Sequence, residues 1–194
     1  QGPLVEVAAS DWRRLLEVNL TSAFLLAKAS HEALRARRGS LVLISSTNGL
    51  NGGSALSGPA YAVAKAGIIN LARYLAKEWG GDGIRVNCVA PGPVETPMLA
   101  RLADSTVDSL RQSIPLGRIA SPEDVAASIA FFCSPQAAYM TGTVMNVSGT
   151  RPQSAPQRLG AHPEPELRRH TNATLFQKSR VAQGTAGRFL FPSR

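Results

Sequence analysis

Apolar residues recur early in the chain at the spacing of one helical face: Trp12, Leu15, Leu16, Leu20, Ala23, Phe24 and Ala27. Recurrence at three and four residues predicts an amphipathic helix, here from Asp11 to about Leu34, with Ser10 placed to cap it and Gly39 to end the segment. The period changes at Leu41-Val42-Leu43-Ile44, an apolar run without alternation. Such a run suits a parallel strand covered on both faces. A loop rich in Gly, Ser and Asn follows from Ser45 to Gly58, and Pro59 sits where a first-turn proline is tolerated. The next helix runs to Trp79 with Ala62, Ala66, Ile69, Ala72, Leu75 and Ala76 at helical spacing, and Gly80-Gly81 are expected to stop it. Ile84 to Val89 predicts a second strand, ended by Pro91-Gly92-Pro93. One or two short helices are expected between Pro97 and Ser113. Ser121-Pro122-Glu123-Asp124 then opens a helix through Val125, Ile129 and Phe132, with cap, proline and acidic first turn in order. Thr143 to Val147 reads as a third strand.

The order helix–strand–helix–strand–helix–strand predicts an α/β fold, a parallel sheet covered by helices. From Thr150 the character changes, because Pro152, Pro156, Pro163 and Pro165 interrupt any helix and no apolar face appears before Phe189-Leu190-Phe191. Residues 1–150 are therefore expected to fold, and residues 151–194 to form a basic, proline-rich, disordered tail. Charge sharpens this division. The net charge is +8, yet residues 1–150 carry 13 Lys/Arg against 11 Asp/Glu, while residues 151–194 carry 8 against 2. The folded part is nearly neutral, so no nucleic-acid partner is expected for it. No apolar run approaches a membrane span, and no basic segment followed by an apolar stretch opens the chain. A cytoplasmic location is the expectation. Cys88 and Cys133 lie far apart, each in an apolar segment, and are expected to be buried free thiols.

Candidate chemistry begins with Tyr61 and Lys65, which face the same way on a helix. A free tyrosine titrates near about 10, and a neighbouring cation favours its phenolate. The pair can thus give and take a proton in carbonyl and alcohol chemistry. The first strand ends in Ser45-Ser46, and the second in Pro91-Gly92-Pro93-Val94-Glu95-Thr96. In open α/β folds ligands bind in the crevice beyond the carboxyl ends of the strands. Three such features at one sheet edge make a site.

These residues, with Val18-Asn19-Leu20, Tyr61-Ala-Val-Ala-Lys65-Ala66-Gly67, Arg85-Val86-Asn87-Cys88-Val89-Ala90-Pro91-Gly92, Ser121 to Ala126 and Tyr139-Met-Thr141-Gly142, stand in a consistent order. From about Gly2 to Gly149 the chain resembles the short-chain dehydrogenase/reductases, in the subgroup of the 3-oxoacyl-carrier-protein reductases. The resemblance implies the C-terminal half of a Rossmann-like doubly wound parallel sheet. It implies Tyr61 as general acid and base, with Lys65 lowering the tyrosine pKa and binding the nicotinamide ribose. Ser46 would hydrogen-bond the substrate oxygen, with Ser45 as the alternative serine, and Asn19 would hold a water linking Lys65 to solvent. Pro91, Gly92, Val94 and Thr96 would line the nicotinamide side of the cleft. The cofactor would be NAD or NADP and the substrate a small carbonyl or secondary alcohol. A homo-oligomer, dimer or tetramer, would form through helices about 11–34 and 59–79.

The sequence departs from the family pattern in three places. Ser46 and Tyr61 stand about two residues further apart than is common, around Ser54-Ala55-Leu56-Ser57. The glycine-rich turn that cradles a pyrophosphate at a helix N-terminus is absent: Gly81-x-Gly83 follows a helix, with Val86 where the third glycine belongs. Asn146-Val147-Ser148-Gly149 leads into Thr150-Arg151-Pro152 where a second glycine is expected, as after a changed reading frame or a fusion. The chain is thus expected to be a truncated, inactive part of an oxidoreductase, or else a non-catalytic fragment that keeps the oligomer-forming helices. Asn87, Trp12 and Trp79 are expected to be structural.

Overall fold

The computed structural model describes residues 3–54, 56–97 and 99–149. The expected disorder of residues 151–194 lies outside them. Three strands form one parallel sheet in the order β1-β2-β3: β1 Ser40–Ile44, β2 Arg85–Pro91 and β3 Val144–Val147. Helices fill the connections between parallel strands. Helix α1 (Ala9–Leu16) passes through a π-helical turn, Glu17–Thr21, into α2 (Ser22–Arg37). A four-residue helix α3 (Asn48–Asn51) and the long α4 (Pro59–Trp79) join β1 to β2, and α5 (Asp104–Ser113) and α6 (Pro122–Cys133) join β2 to β3.

The sheet is covered on both faces, as the unbroken apolar strands require. On one face Ile68, Ala72, Leu75 and Trp79 of α4 pack with Leu43, Val86 and Cys88. On the other, Val89 meets Phe132 of α6, with Val125 and Ile129 beside it. Val86 to Ala90 are all buried, so the central strand fixes where the sheet's carboxyl edge lies. Asn87 is fully buried and structural: its Nδ2 donates to the Met140 carbonyl at 2.8 Å, and its Oδ1 accepts from the Thr143 amide at 3.0 Å. Trp79 is also a packing residue, with its ring centroid 4.8 Å from that of His31.

The α6 start behaves as its sequence predicts. Ser121 and Asp124 form a reciprocal capping box, and the Arg118 guanidinium bonded to Asp124 holds that carboxyl well below the usual carboxylate range. Other boundaries move. The first helix starts at Ala9, where the Trp12 amide closes on the Ala8 carbonyl, so Ser10 falls inside the first turn and caps nothing. Arg38 takes the left-handed conformation (φ 48°) at the end of α2, ahead of Gly39. Gly80 stays right-handed and the chain continues as a 3-10 turn to Asp82; Gly83, at φ 77°, ends it. Cys133 is exposed, contrary to expectation, because α6 turns Phe132 inward and its successor out.

Candidate active site

A cleft of about 1190 Å³ opens at the carboxyl edge of the sheet. Ser46, Tyr61, Lys65, Pro91, Gly92, Val94 and Thr96 all line it, as does Ser45. Asn19 does not line it. Asn19 sits half-buried in the π-helical turn, and its Nδ2 donates to the Leu15 carbonyl at 3.1 Å. A π turn shifts the backbone bonds of a helix out of register and commonly marks a functional position. Periodicity in the sequence gave no sign of it.

The serine loop is referenced directly to the helix that carries Tyr61 and Lys65. Ser45 Oγ donates to the Lys65 carbonyl at 2.7 Å. Four residues later, Gly49 lies against the Lys65–Ala66 peptide, where a Cβ would come within 2.6 Å of the Lys65 carbonyl carbon. Among the described residues Ser46 Oγ accepts only from the Asn48 amide, at 3.2 Å, which leaves its hydroxyl hydrogen for another partner. Both serines are more than nine-tenths buried. The longer Ser46–Tyr61 spacing is absorbed beyond these contacts. Ser57 Oγ closes the 54–58 turn on the Ser54 amide at 3.0 Å, and Gly58 leads into α4 with φ 72°.

Tyr61 and Lys65 are one helical turn apart on α4, and Lys65 Nζ stands 5.5 Å from the Tyr61 ring centroid. Nζ donates to the Ile44 carbonyl at 3.1 Å. Ser45 and Thr47 direct their amides to the Val89 and Pro91 carbonyls of β2. Ile44, which precedes Ser45, therefore turns its backbone groups to the other edge of β1, where no strand pairs among the described residues. Burial pushes the Lys65 ammonium below its ordinary value, with the nearby Cys88 acting in the opposite sense. Burial also pushes the Cys88 thiol up to about 11, against the Ser45 backbone bond and the charges of Lys65 and Arg73.

The opposite wall is the loop after β2. Val94 pairs with Ala120 in an isolated parallel bridge, and the Glu95 amide donates to the Ala120 carbonyl at 2.9 Å. Gly92 is bonded through its amide to the Val147 carbonyl at 3.0 Å and has no room for a side chain above Ser148. The loop is thus a stiff wall of the cleft that Tyr61 also lines. Apolar side chains from the loops after β1 and β2 complete the lining: Leu50 and Leu56, then Leu99, Leu102 and Leu110. Sequence reasoning missed Leu15 and the Glu6–Ala8 segment, and also Asn146 and Ser148. Only the polar alternation in β3 marked the last two.

Residues 1–149 match the family model described as enoyl-(acyl carrier protein) reductase. The chain is 39% identical over 148 residues to a human (3R)-3-hydroxyacyl-CoA dehydrogenase, covering 75% of this chain and 56% of that protein. The crystal structure of a 3-oxoacyl-[acyl-carrier protein] reductase with bound NAD from Brucella melitensis is similar, with 30% identity and a TM-score of 0.67, over 75% of this chain and 53% of that one. So is a putative 2-deoxy-d-gluconate 3-dehydrogenase from Agrobacterium tumefaciens with bound NADP, at 35% identity and a TM-score of 0.72, over 77% and 61%. The chain spans little more than half the length of these relatives.

Proposed function

The chain belongs to the short-chain dehydrogenase/reductase family, and from that premise we propose that it carries the catalytic half of a cytoplasmic NAD(P)-dependent oxidoreductase interconverting a carbonyl and a secondary alcohol. One observation carries the reading: Tyr61, Lys65 and the free hydroxyl of Ser46 border one cleft at the sheet's carboxyl edge. Tyr61 Oη gives its proton to the carbonyl oxygen in reduction and takes it back in oxidation. Ser46 donates to the same oxygen as charge develops there. Lys65 would hold the ribose hydroxyls and keep a positive charge beside the phenol, and Asn19 would position the water behind it. Pro91, Gly92, Val94 and Thr96 would hold the nicotinamide end, a role that the stiff, side-chain-free wall at Gly92 fits. A nicotinamide held there would supply the hydride-transfer chemistry. The pyrophosphate end has no counterpart in these 194 residues, since no strand leads into a glycine-rich turn. By itself this stretch is therefore inactive.

A second reading, a non-catalytic fragment that keeps only the pairing helices, draws on exposed apolar side chains along them: Val18, Phe24, Leu25, Leu26, Val63 and Tyr74. Two experiments separate the readings. Titration of the chain with NADH and NADPH, followed by fluorescence, is expected to show weak binding, whereas none would favour the fragment. Joined to a glycine-rich N-terminal half, the chain is expected to reduce ketones, with Tyr61→Phe lowering kcat/KM by about 10²–10⁴-fold. Activity that survives Tyr61→Phe would sink the assignment.

A further inference from the structure

The segment between α5 and α6 grips the wall of the cleft at Ala120. The Ala120 amide donates to the Pro93 carbonyl at 3.2 Å, and its carbonyl accepts from the Glu95 amide at 2.9 Å. Val94, between those two residues, pairs with Ala120 and lines the cleft. A peptide unit is planar and trans, so its N–H and C=O point in opposite directions. The far ends of the two peptides that flank Ala120 are therefore the Ile119 carbonyl and the Ser121 amide. One ion pair holds both. Arg118 Nη1 donates to the Ile119 carbonyl at 3.3 Å, and the Ser121 amide donates to Asp124 Oδ2 at 2.8 Å. The pair itself is bidentate, with Nη1 2.6 Å from Oδ2 and Nη2 3.0 Å from Oδ1.

Such a pair does little for folding. The Arg118 side chain is 57% exposed, and water screens the attraction. Two parallel charged hydrogen bonds nevertheless fix orientation, which is what a planar guanidinium supplies. Ile119, only 3% exposed, anchors the segment, and Gly117 at φ 67° turns the chain into it. Burial places the segment but leaves the tilt of its peptides to these hydrogen bonds. Neither Arg118 nor Asp124 lines the cleft, so their effect on a ligand there passes through the backbone.

We propose that Arg118 and Asp124 are positioning residues. Their ion pair orients the two peptides at Ala120 and so holds residues 93–95 where the nicotinamide end of a cofactor would rest. This inference rests on the reading of that loop as the nicotinamide side of the cleft, and it names the device that keeps the loop in place. Losing the pair frees the tilt of both peptides, loosens the bonds to Pro93 and Glu95, and lets Val94 shift in the cleft. The fold survives, because the apolar contacts of Val89, Phe132 and Ala137 under α6 are untouched.

The test titrates the 194-residue chain with dihydronicotinamide riboside by ligand-observed NMR, and reads amide hydrogen exchange in parallel. The probe is uncharged, so Arg118 cannot act on it by charge. Arg118→Ala is expected to speed exchange at the Glu95 and Ala120 amides by about tenfold and to weaken the probe by about two- to tenfold. The Cys88 amide, bonded to the Thr143 carbonyl in the sheet, is expected to keep its rate. Asp124→Asn keeps an oxygen for the Ser121 amide and is expected to move both readouts the same way, but less. Arg118→Lys is expected to restore part of each. Arg111→Ala is the control, because it removes a similarly exposed pair, Arg111 with Asp108 at 2.6 Å, that lies within α5 alone. It is expected to change neither readout. Unchanged exchange at Glu95 and Ala120 in Arg118→Ala would overturn the proposal. So would faster exchange with an unaltered probe affinity, the mark of a merely structural pair, or an equal effect of Arg111→Ala. A wild-type chain that does not bind the probe would overturn the nicotinamide reading of the loop, and exchange alone would then decide whether the pair holds it.

Discussion

A hydroxyl that already donates to a buried carbonyl is poorly placed to donate to a ligand, and Ser45 is in that position through its 2.7 Å bond to Lys65. Ser46 keeps its proton free. In the chain completed by an N-terminal half, Ser46→Ala is expected to lower kcat by about 10²–10³-fold. Ser45→Ala should instead lower stability by about 1 kcal/mol, the worth of one hydrogen bond, with a smaller effect on rate. Denaturant melts and steady-state kinetics on the two variants check the division, and a reversed pattern would make Ser45 the working serine. Cys88 gives a second residue-scale expectation. Its folded pKa, about 11, lies above the ordinary value of 9.0. A raised folded pKa gives stability that is complete below the unfolded value and lost as pH climbs through the folded one. Relative to Cys88→Val, the chain is therefore expected to lose up to about 3 kcal/mol between pH about 9 and about 11. Melts across that window that run parallel for the two proteins would refute it.

At the scale of elements, the site depends on α3 resting against the backbone of α4. Gly49 makes that contact possible, because any Cβ there would meet the Lys65–Ala66 peptide, which cannot swing aside. Gly49→Ala is expected to cost about 1–3 kcal/mol and to displace Ser46 from Tyr61, so that activity falls more than stability alone would explain. Gly80→Ala is the control. Nothing lies within 4 Å of its added methyl, and its φ of −58° suits alanine. Stability there should hold or rise by a few tenths of a kcal/mol. Thermal melts on both variants distinguish a specific contact from a general intolerance of glycine replacement. The π turn at Glu17–Thr21 belongs to this scale as well. Apolar spacing told where the first helix runs, and it came within a few residues of the observed ends. It carried no information on a one-residue shift in backbone bonding, because the side chains kept nearly the same face.

For the whole molecule, exposed Phe24, Leu25 and Leu26 on α2 and Val63 and Tyr74 on α4 require a cover, and the proposed cover is a second copy of the chain. Sedimentation is expected to show a dimer or larger species that Leu25→Glu with Val63→Glu converts to monomer without loss of helical signal; a wild-type monomer would refute the pairing. Among the described residues the edge of β1 is also open, and Lys65 takes the Ile44 carbonyl that a further strand would otherwise claim. Local sequence determined much of this molecule. Period and breakers placed three strands and the long helices, since those features arise from neighbouring residues on one face. Strand ends and helical spacing brought together Ser45-Ser46, Tyr61, Lys65 and the Pro91–Thr96 loop, because strand ends in a parallel sheet must meet at one edge. Only the tertiary structure decided which serine is free, where Asn19 points, and that Asn146 and Ser148 share the cleft. Those outcomes depend on hydrogen bonds and close approaches between segments distant in sequence, such as Ser45 to Lys65 and Gly92 to Ser148. No pattern within either segment encodes them.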